Sequence, residues 1–193
     1  DAAANEWWDE HGDGTLRLLT NSKRVKVHRL SENRGFEKMG EVLYFEAEPL
    51  AESTDAFAAL KSDEVDEAIA ICQRVAPNQL LGVGWKFAAP NPVSLRAAAD
   101  EGLAFWWRGR DGILSAWEND DDGAPRLKVG LEACAEESRV EMLGDFRRFA
   151  SARGMAAAGW MNLVDEETSR VLEQAGYARK WEDAGFLYER RHP

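Results

Sequence analysis

The feature that most constrains the fold is a weak internal repeat that relates the beginning of the chain to its end. When Gly35-Phe36 is aligned with Gly176-Tyr177, similar residues coincide at spaced positions in both segments. The matching pairs are Asn21 and Asn162, Arg29 and Arg170, Glu32 and Glu173, Lys38 and Arg179, Glu41 and Glu182, and Phe45 and Phe186. Each segment predicts the order helix, strand, helix and strand. The repeat therefore indicates two related units.

The two segments differ in what precedes them. A long run of further strands and helices leads into the later segment, whereas the earlier one begins close to Asp1. We therefore expect residues 1–48 to be the C-terminal half of a first unit, 49–56 to be a linker and 57–193 to be a complete, divergent second unit. On this interpretation the sequence opens in the middle of a unit. Because a half unit exposes a sheet edge and an apolar helix face, residues 1–48 should pack against the second unit or a second chain.

Apolar spacing and turn residues predict the elements of both units. In the first unit a helix over Ala2–His11 precedes a strand, and Ser22 or Asn21 caps a helix that ends before Gly35. The remaining predicted helices and strands are 41–48, 64–75, 93–101, 103–107, 112–117, 126–131, 138–152, 156–163, 166–175 and 184–189. This order predicts an α/β fold with a mostly antiparallel mixed sheet flanked by helices.

Composition excludes several classes of protein. The net charge of −11 disfavours nucleic acid as a general partner, since binding phosphate requires a positive field. No apolar run approaches the length that spans a bilayer, so no membrane contact is expected. Cys72 and Cys134 lack paired spacing, which predicts neither a disulfide nor a metal site. The default expectation is a cytoplasmic protein.

One segment departs from the acidic trend. Residues 16–30 contain five cations and no acid: Arg17, Lys23, Arg24, Lys26 and Arg29. Lys23, Arg24 and Lys26 fall at the start of the predicted helix, where the helix dipole disfavours positive charge. An anionic ligand would compensate for this arrangement, and a solvated basic face is the alternative. At the equivalent position near the end of the chain stand Asp165, Glu166 and Glu167, which suit a structural helix without a ligand.

The repeated segment resembles the part of the sequence that closes a domain of the GNAT acyltransferase superfamily. The residues that carry the resemblance are Thr20-Asn21-Ser22, His28-Arg29-Leu30, Gly35-Phe36 and Gly40-Glu41-Val42-Leu43-Tyr44. Residues 57–193 resemble a divergent second copy. The resemblance implies transfer of an acetyl group from acetyl-CoA to an amine acceptor, which is a small molecule or a peptide. It implies Asn21, Lys23, Arg24 and Lys26 as cofactor-binding residues, through phosphate or pantetheine contacts.

In that family a glycine-rich loop holds the cofactor's pyrophosphate with backbone amides. The equivalent stretch of the second copy is Glu132–Val140, which contains no glycine and three carboxylates, so it should repel the pyrophosphate. The family often has an asparagine near the cofactor at the start of this helix and a tyrosine near its end that protonates the leaving thiolate. These positions hold Arg24 and Ser31 in the first copy, and Asp165 and Leu172 in the second. The resemblance therefore assigns no catalytic residue.

Two functions remain open from the sequence. The first is an acetyltransferase whose second copy supports the fold, shapes the acceptor site or forms a homodimer. The alternative is a non-catalytic GNAT-like module for ligand binding or dimerisation. Seven aromatic residues are expected mainly in the core, with one or two ring edges reaching a cleft: Trp85, Phe105, Trp106, Trp107, Trp117, Trp160 and Trp181.

Overall fold

The computed structural model describes residues 14–121 and 123–191. The helix predicted over Ala2–His11 lies outside these residues. The strands within them are β1 (Thr15–Asn21), β2 (Glu37–Ala47), β3 (Phe57–Ala59), β4 (Leu81–Val83), β5 (Lys86–Ala88), β6 (Ala104–Trp107), β7 (Gly112–Asp121), β8 (Ala124–Cys134), β9 (Ala157–Val164), β10 (Ala178–Arg179) and β11 (Gly185–Arg191). The α-helices there are α1 (Val25–Glu32), α2 (Val65–Val75), α3 (Pro92–Asp100), α4 (Arg139–Ala152) and α5 (Glu166–Gln174).

One mixed sheet runs through the whole described chain. Its strand order is β1-β11-β2-β9-β8-β7-β6-β3, and the short β10 also pairs with β2. Strands β8 and β9 are parallel, and the other strand pairs of this sheet within the described residues are antiparallel. Strands β4 and β5 form a separate hairpin. The mostly antiparallel mixed sheet with helices around it confirms the predicted fold class.

The strands at the two ends of the sequence are interleaved. Strand β2 lies between β9 and β11, and β11 lies between β2 and β1. In β2, Leu43 pairs with Asn162 of β9, while Gly185 of β11 pairs with Asn21 of β1. Residues 15–47 therefore belong to the same sheet as the rest of the chain. The prediction that this segment packs against the later unit is confirmed for these residues.

The sheet is covered on both faces. On one face lie the apolar sides of α4 and α5, with Phe146 and Leu172 fully buried against Trp160. The other face is covered by α2 and α3 through Val65 and Leu95. The β4–β5 hairpin covers the same sheet beside β2, where Phe87, Tyr44, Met161 and Leu187 form a further cluster. Burial of these side chains supplies the main drive to fold.

The turns that follow α1 and α5 have the same geometry. Gly35 has a φ of 77° and Gly176 a φ of 83°, in the left-handed region that glycine adopts without strain. After α1, Gly35 N–H donates to Glu32 O and Phe36 N–H to Ser31 O. After α5, Gly176 N–H donates to Glu173 O and Tyr177 N–H to Leu172 O. The aligned residues of the sequence repeat therefore make equivalent hydrogen bonds.

Helix α1 is fixed to the sheet by His28. Its Nε2 lies 3.0 Å from Ser22 O, and its Nδ1 lies 3.1 Å from the Tyr188 hydroxyl. A carbonyl only accepts, so Nε2 carries the proton and the hydroxyl donates to Nδ1. The ring also packs against Phe186 with the centroids 5.0 Å apart. These contacts give His28 a structural role.

The structure differs from the sequence expectations in several local features. The N-cap of α1 is Arg24, and its side chain makes no capping hydrogen bond, so the predicted cap by Ser22 or Asn21 is wrong. Asn21 instead accepts a hydrogen bond from Lys23 N–H in a turn before the helix. Strand β2 begins four residues earlier than predicted, at Glu37. Strands β3, β4, β5 and β10 were not predicted, because two or three residues carry no clear periodicity.

Candidate functional site

The parallel strands β8 and β9 separate near the middle of the sheet. They are paired from Arg126–Ala157 to Val129–Trp160 and diverge beyond these positions. The separation coincides with a β-bulge, because Ala116 pairs with Val129 and Ser115 with Leu131, which leaves Gly130 without a partner in β7. Two diverging parallel strands leave a cleft at their C-terminal ends, where ligands commonly bind in α/β sheets.

This cleft is filled by a buried ion pair. Glu132 is 3% exposed, and its carboxylate accepts a hydrogen bond of 2.9 Å from Arg139 Nε and one of 3.2 Å from Trp160 Nε1. Burial alone would lower the pKa of Arg139, but the Glu132 carboxylate raises it above its ordinary value. The guanidinium that faces the cleft is therefore already neutralised by a protein carboxylate.

The segment at the start of the β4–β5 hairpin also lies at the point where β8 and β9 diverge. Asn162 Nδ2 donates a hydrogen bond of 2.7 Å to Leu80 O. A Cβ atom on Gly130 would lie 2.6 Å from Gly82 O, so glycine is required for this approach. The backbone of residues 80–82 therefore lies against both β8 and β9 near the bulge.

The mouth of the cleft is acidic. A pocket of about 320 Å³ is lined there by residues 75–79 and by Glu132, Glu136, Arg139, Asp165 and Glu167. The pKa of Glu136 is raised, first by its hydrogen bond to Glu167 and then by the charge of that carboxylate. Four carboxylates against one arginine disfavour a phosphate at this place.

The four residues predicted to bind the cofactor lie together at the start of α1. Asn21 ends β1, Arg24 is the N-cap, and Lys26 lies exposed in the first turn. Lys23 Nζ is 2.8 Å from Asp183 Oδ2, in the loop before β11. Arg24 and Lys26 have no carboxylate partner among the residues that the structure describes. The four residues therefore lie together at the surface, where Lys23 is paired with Asp183 and the Asn21 side chain accepts a hydrogen bond from Lys23 N–H.

A pocket of about 500 Å³ adjoins this cluster. It is lined by Leu19, Thr20 and Asn21 at the end of β1, by Trp85 at the hairpin tip, and by residues 180–185. Trp85 is 67% exposed and stacks on Trp181 with the ring planes 8° apart. Of the seven aromatic residues expected mainly in the core, Phe105, Trp106, Trp107 and Trp160 are buried, Trp117 is partly buried, and Trp85 and Trp181 line this pocket.

A larger cavity of about 760 Å³ lies on the opposite side of α4 from the cleft mouth, between its start and residues 52–56. At its wall the buried Asp145 carboxylate accepts hydrogen bonds from Trp107 Nε1 at 3.0 Å and Arg108 Nε at 3.1 Å. Arg148 Nη1 lies 3.3 Å from the same carboxylate. Every charge in this network has a partner, so the network supports the hairpin between β6 and β7.

The described residues offer no group of three or more His, Cys, Asp or Glu side chains that could hold a metal ion. Burial raises the pKa of Cys72 to about 11 and that of Cys134 to about 12, so both thiols stay protonated at neutral pH. Of the helices in the described ranges, none has the length and apolar character needed to cross a membrane.

Comparison with solved structures shows which fold this is. A GCN5-related N-acetyltransferase from Sphaerobacter thermophilus matches with a TM-score of 0.59 and 11% identity, over 98% of this chain and 66% of that one. An acetyltransferase described as putative and of the GNAT family, from Novosphingobium aromaticivorans, matches with a TM-score of 0.56 and 13% identity, over 95% and 77%. A conserved protein of unknown function from Staphylococcus epidermidis matches with a TM-score of 0.63 and 9% identity, over 100% and 78%.

These similarities establish a GNAT-type fold. The chain spans just under two thirds of the length of the Sphaerobacter structure. No protein-family model matches the sequence, and no curated protein does.

Proposed function

We propose that this chain, which has the fold of GNAT acetyltransferases, transfers an acetyl group from acetyl-CoA to an amine. The amine nitrogen attacks the thioester carbonyl, the carbon–sulfur bond breaks, and the thiolate of CoA leaves while the amine loses a proton. The protein contributes by holding the two reactants in line and by presenting N–H donors to the developing oxyanion. The observation that carries the proposal is the mixed sheet whose parallel strands separate at a β-bulge.

We further propose that residues 1–48 belong to a first unit, that 49–56 form a linker and that 57–193 form a second, divergent unit. The equivalent hydrogen bonds at Gly35 and Gly176 support a repeat of the helix–turn–strand segment. The pairing register supports it as well. Asn21 of β1 pairs with Gly185 of β11, and Asn162 of β9 pairs with Leu43 of β2, so each asparagine pairs with a strand of the other unit at a nearly equivalent position. In this arrangement β1 is the counterpart of β9, and a cofactor of the first unit would lie along the outer edge of β1.

The cluster at the start of α1 is our candidate for cofactor contacts. Arg24 and Lys26 have no carboxylate partner within the described ranges, and the first turn contains no acid. Phosphate groups there would interact with the positive end of the helix dipole as well as with the side chains. Lys23 would have to exchange Asp183 for the ligand, and Asn21 would contact the pantetheine arm. The catalytic acid and base are not assigned.

The alternative is a non-catalytic ligand-binding or dimerisation module. The filled cleft between β8 and β9 favours it, because Glu132, Arg139 and residues 80–82 take up the space that a pantetheine arm would need in the second unit. Dimerisation would use the outer edge of β1, which ends the described sheet.

Calorimetric titration of the 193-residue chain with acetyl-CoA, followed by an assay of thiol release with a panel of amines, separates the two functions. The test variant is Arg24→Ala/Lys26→Ala. The matched control is Arg29→Ala/Arg34→Ala, which removes the same charge from the other end of α1.

We expect the test variant to weaken acetyl-CoA binding by about tenfold per lost charged contact, and the control to leave it unchanged. Equal losses in both variants would assign the effect to net charge. Absence of both binding and thiol release would replace the transferase with the non-catalytic module.

A further inference from the structure

Trp85 has an unusual environment for a large aromatic side chain. It lies 67% exposed at the tip of the β4–β5 hairpin, although tryptophan is mostly buried in folded proteins. One face of its ring stacks on Trp181, with centroids 5.2 Å apart. Within the described residues, no second ring covers the opposite face. The pocket of about 500 Å³ that Trp85 lines is therefore bordered by an open aromatic surface.

The ring is held in place by the hairpin and by the sheet beneath it. Val83 pairs with Lys86, so Gly84 and Trp85 form a two-residue turn, and Gly84 has the positive φ that its first position requires. Phe87, only 6% exposed, anchors the hairpin in the core. Tyr44 packs against Trp181 with centroids 5.3 Å apart, which supports the stack. Binding to a ring that is already ordered costs little conformational entropy.

The facing wall of the pocket is also fixed. It is the loop 180–184 between β10 and β11, and Arg179 donates hydrogen bonds of 2.7 Å to Trp181 O and 2.8 Å to Glu182 O. Ser22 N–H donates to Ala184 O and ties the loop to the turn before α1. The pocket is therefore preformed, because both of its walls are held in place by contacts within the protein.

The charges around the pocket select the kind of ligand. Lys23 is paired with Asp183 at 2.8 Å, and Lys180 lies 3.7 Å from Glu46. Glu182 lines the pocket and has no cationic partner in the part of the chain that the structure describes. A pocket lined by an unpaired carboxylate and by an open indole face attracts a cation, because the face of the ring is the negative end of its quadrupole. The net charge of −11 acts in the same direction over longer distances.

We infer that this pocket binds an organic ammonium ion, which lies over the free face of Trp85 with Glu182 as its counter-ion. The inference rests on the proposed function only for the identity of the ligand. An amine must be deprotonated to attack a thioester, so the reacting nitrogen is not the group that the pocket holds. The acceptor therefore carries a second, protonated amine, and its class is a diamine or polyamine.

The test uses 1,4-diaminobutane as the probe and the neutral 1,4-butanediol as its matched control, at constant ionic strength. The indole N–H resonances of Trp85 and Trp181 are followed by two-dimensional NMR in the 193-residue chain without acetyl-CoA. We expect the diamine, and not the diol, to shift both resonances. Equal shifts with the diol would overturn the cation site, as would no shift with either compound.

Substitutions at Trp85 and Glu182 locate the site, with the indole N–H resonance of Trp181 as the common reporter. Trp85→Ala should weaken diamine binding by about tenfold and Trp85→Phe by less, because phenylalanine keeps a weaker aromatic face. Glu182→Gln should weaken it by about fivefold as the counter-ion is lost. Val83→Ala, on the same hairpin, and Glu101→Gln, at an exposed position elsewhere, are the controls. Unchanged affinity in Trp85→Ala would overturn the proposal.

The outcome is independent of whether acetyl transfer is detected. Diamine binding that requires Trp85 and Glu182, without thiol release, supports the cation site and contradicts the transferase. Thiol release with a diamine that neither Trp85→Ala nor Glu182→Gln alters supports the transferase and contradicts the cation site.

Discussion

The N-termini of α1 and α5 occupy equivalent places in the sequence repeat, yet their chemistry is opposite. Helix α5 starts with Asp165, whose carboxylate accepts a hydrogen bond of 2.7 Å from Thr168 N–H, and continues with Glu166 and Glu167. Helix α1 starts with Arg24, which makes no side-chain cap, and has no acid in its first turn. The start of α5 is therefore capped by its own side chain and carries acids that suit the helix dipole, whereas no side chain caps the start of α1.

The same contrast extends to the strands that lead into the two helices. Beside β9 the cleft is closed by Glu132, Arg139 and Trp160. Strand β1 is the last strand of the sheet within the described residues, and the neighbouring pocket is bordered by the exposed ring of Trp85. The difference shows that two segments with the same backbone geometry can differ in the charge and exposure of their surroundings.

The largest effect on stability should come from removing the buried ion pair in the cleft between β8 and β9. Glu132→Ala leaves Arg139 buried without a counter-ion and Trp160 without an acceptor, so the free energy of unfolding should fall by about 3–5 kcal/mol. Urea denaturation followed by tryptophan fluorescence measures this change. Glu137→Ala, an exposed residue near the same cleft, is the control and should change it little. A small loss in Glu132→Ala would show that the closed cleft does not depend on this ion pair.

The two left-handed glycines should differ in their tolerance of alanine. Either substitution forces a side chain into a left-handed conformation, which costs about 1–2 kcal/mol. At Gly35 the nearest atom to a new Cβ is 3.8 Å away, whereas at Gly176 the new Cβ would collide with the Arg147 guanidinium. That guanidinium donates to Ala175 O and Glu48 O, so its displacement adds to the cost. In thermal denaturation, Gly176→Ala should have a lower melting temperature than Gly35→Ala. Equal decreases in the two variants would contradict this prediction.

The cap of α5 should make stability depend on pH. The pKa of Asp165 is lowered, chiefly by the hydrogen bond from Thr168 N–H. A lowered pKa in the folded state stabilises the protein above the unfolded value of about 3.9, and this contribution disappears as the pH falls through the lower folded value.

Asp165→Ala should therefore cost about 1 kcal/mol at pH 7, with a smaller difference from the wild type at low pH. Asp165→Asn keeps a capping oxygen and should remove the contribution of Asp165 to the pH dependence of stability. Urea denaturation between pH 7 and strongly acidic pH tests both variants. If the difference in the free energy of unfolding between the wild type and Asp165→Ala increased at low pH, the prediction would be wrong.

The smallest predicted effect is an increase in stability. Arg24→Asn supplies α1 with a good N-cap and removes a cation from its positive end, so the free energy of unfolding should rise by about 0.5–1 kcal/mol. In the proposed transferase the same change should weaken acetyl-CoA binding. Chemical denaturation and calorimetry on one sample measure both quantities. A loss of stability would mean that Arg24 contributes to the apo fold and is not held ready for a ligand.

Local patterns made much of the fold predictable. The helices after β1 and β9, both glycine turns and the β6–β7–β8 meander follow from apolar spacing and from Gly35 and Gly176. The interleaving of β2 and β11 could not be predicted, because pairing between distant strands leaves no local signal. For the candidate site, the charge pattern together with the family resemblance predicted the cluster at α1, and this stays a prediction. The Lys23–Asp183 pair and the exposure of Trp85 depend on the loop 180–184 and the β4–β5 hairpin, whose short strands carry no clear pattern.

The pairing of β1 with β11 has a consequence for synthesis on the ribosome. Arg17 and Glu189, which form a salt bridge of 2.7 Å across this pair, are 172 residues apart in the sequence. The first described strand must therefore wait, unpaired, until the last one has been translated. During that interval Leu16, Leu18 and Leu19 form an apolar segment that could associate with other nascent chains. The neighbouring cations from Arg17 to Arg29 are placed to act as gatekeepers that keep this segment soluble until its partner arrives.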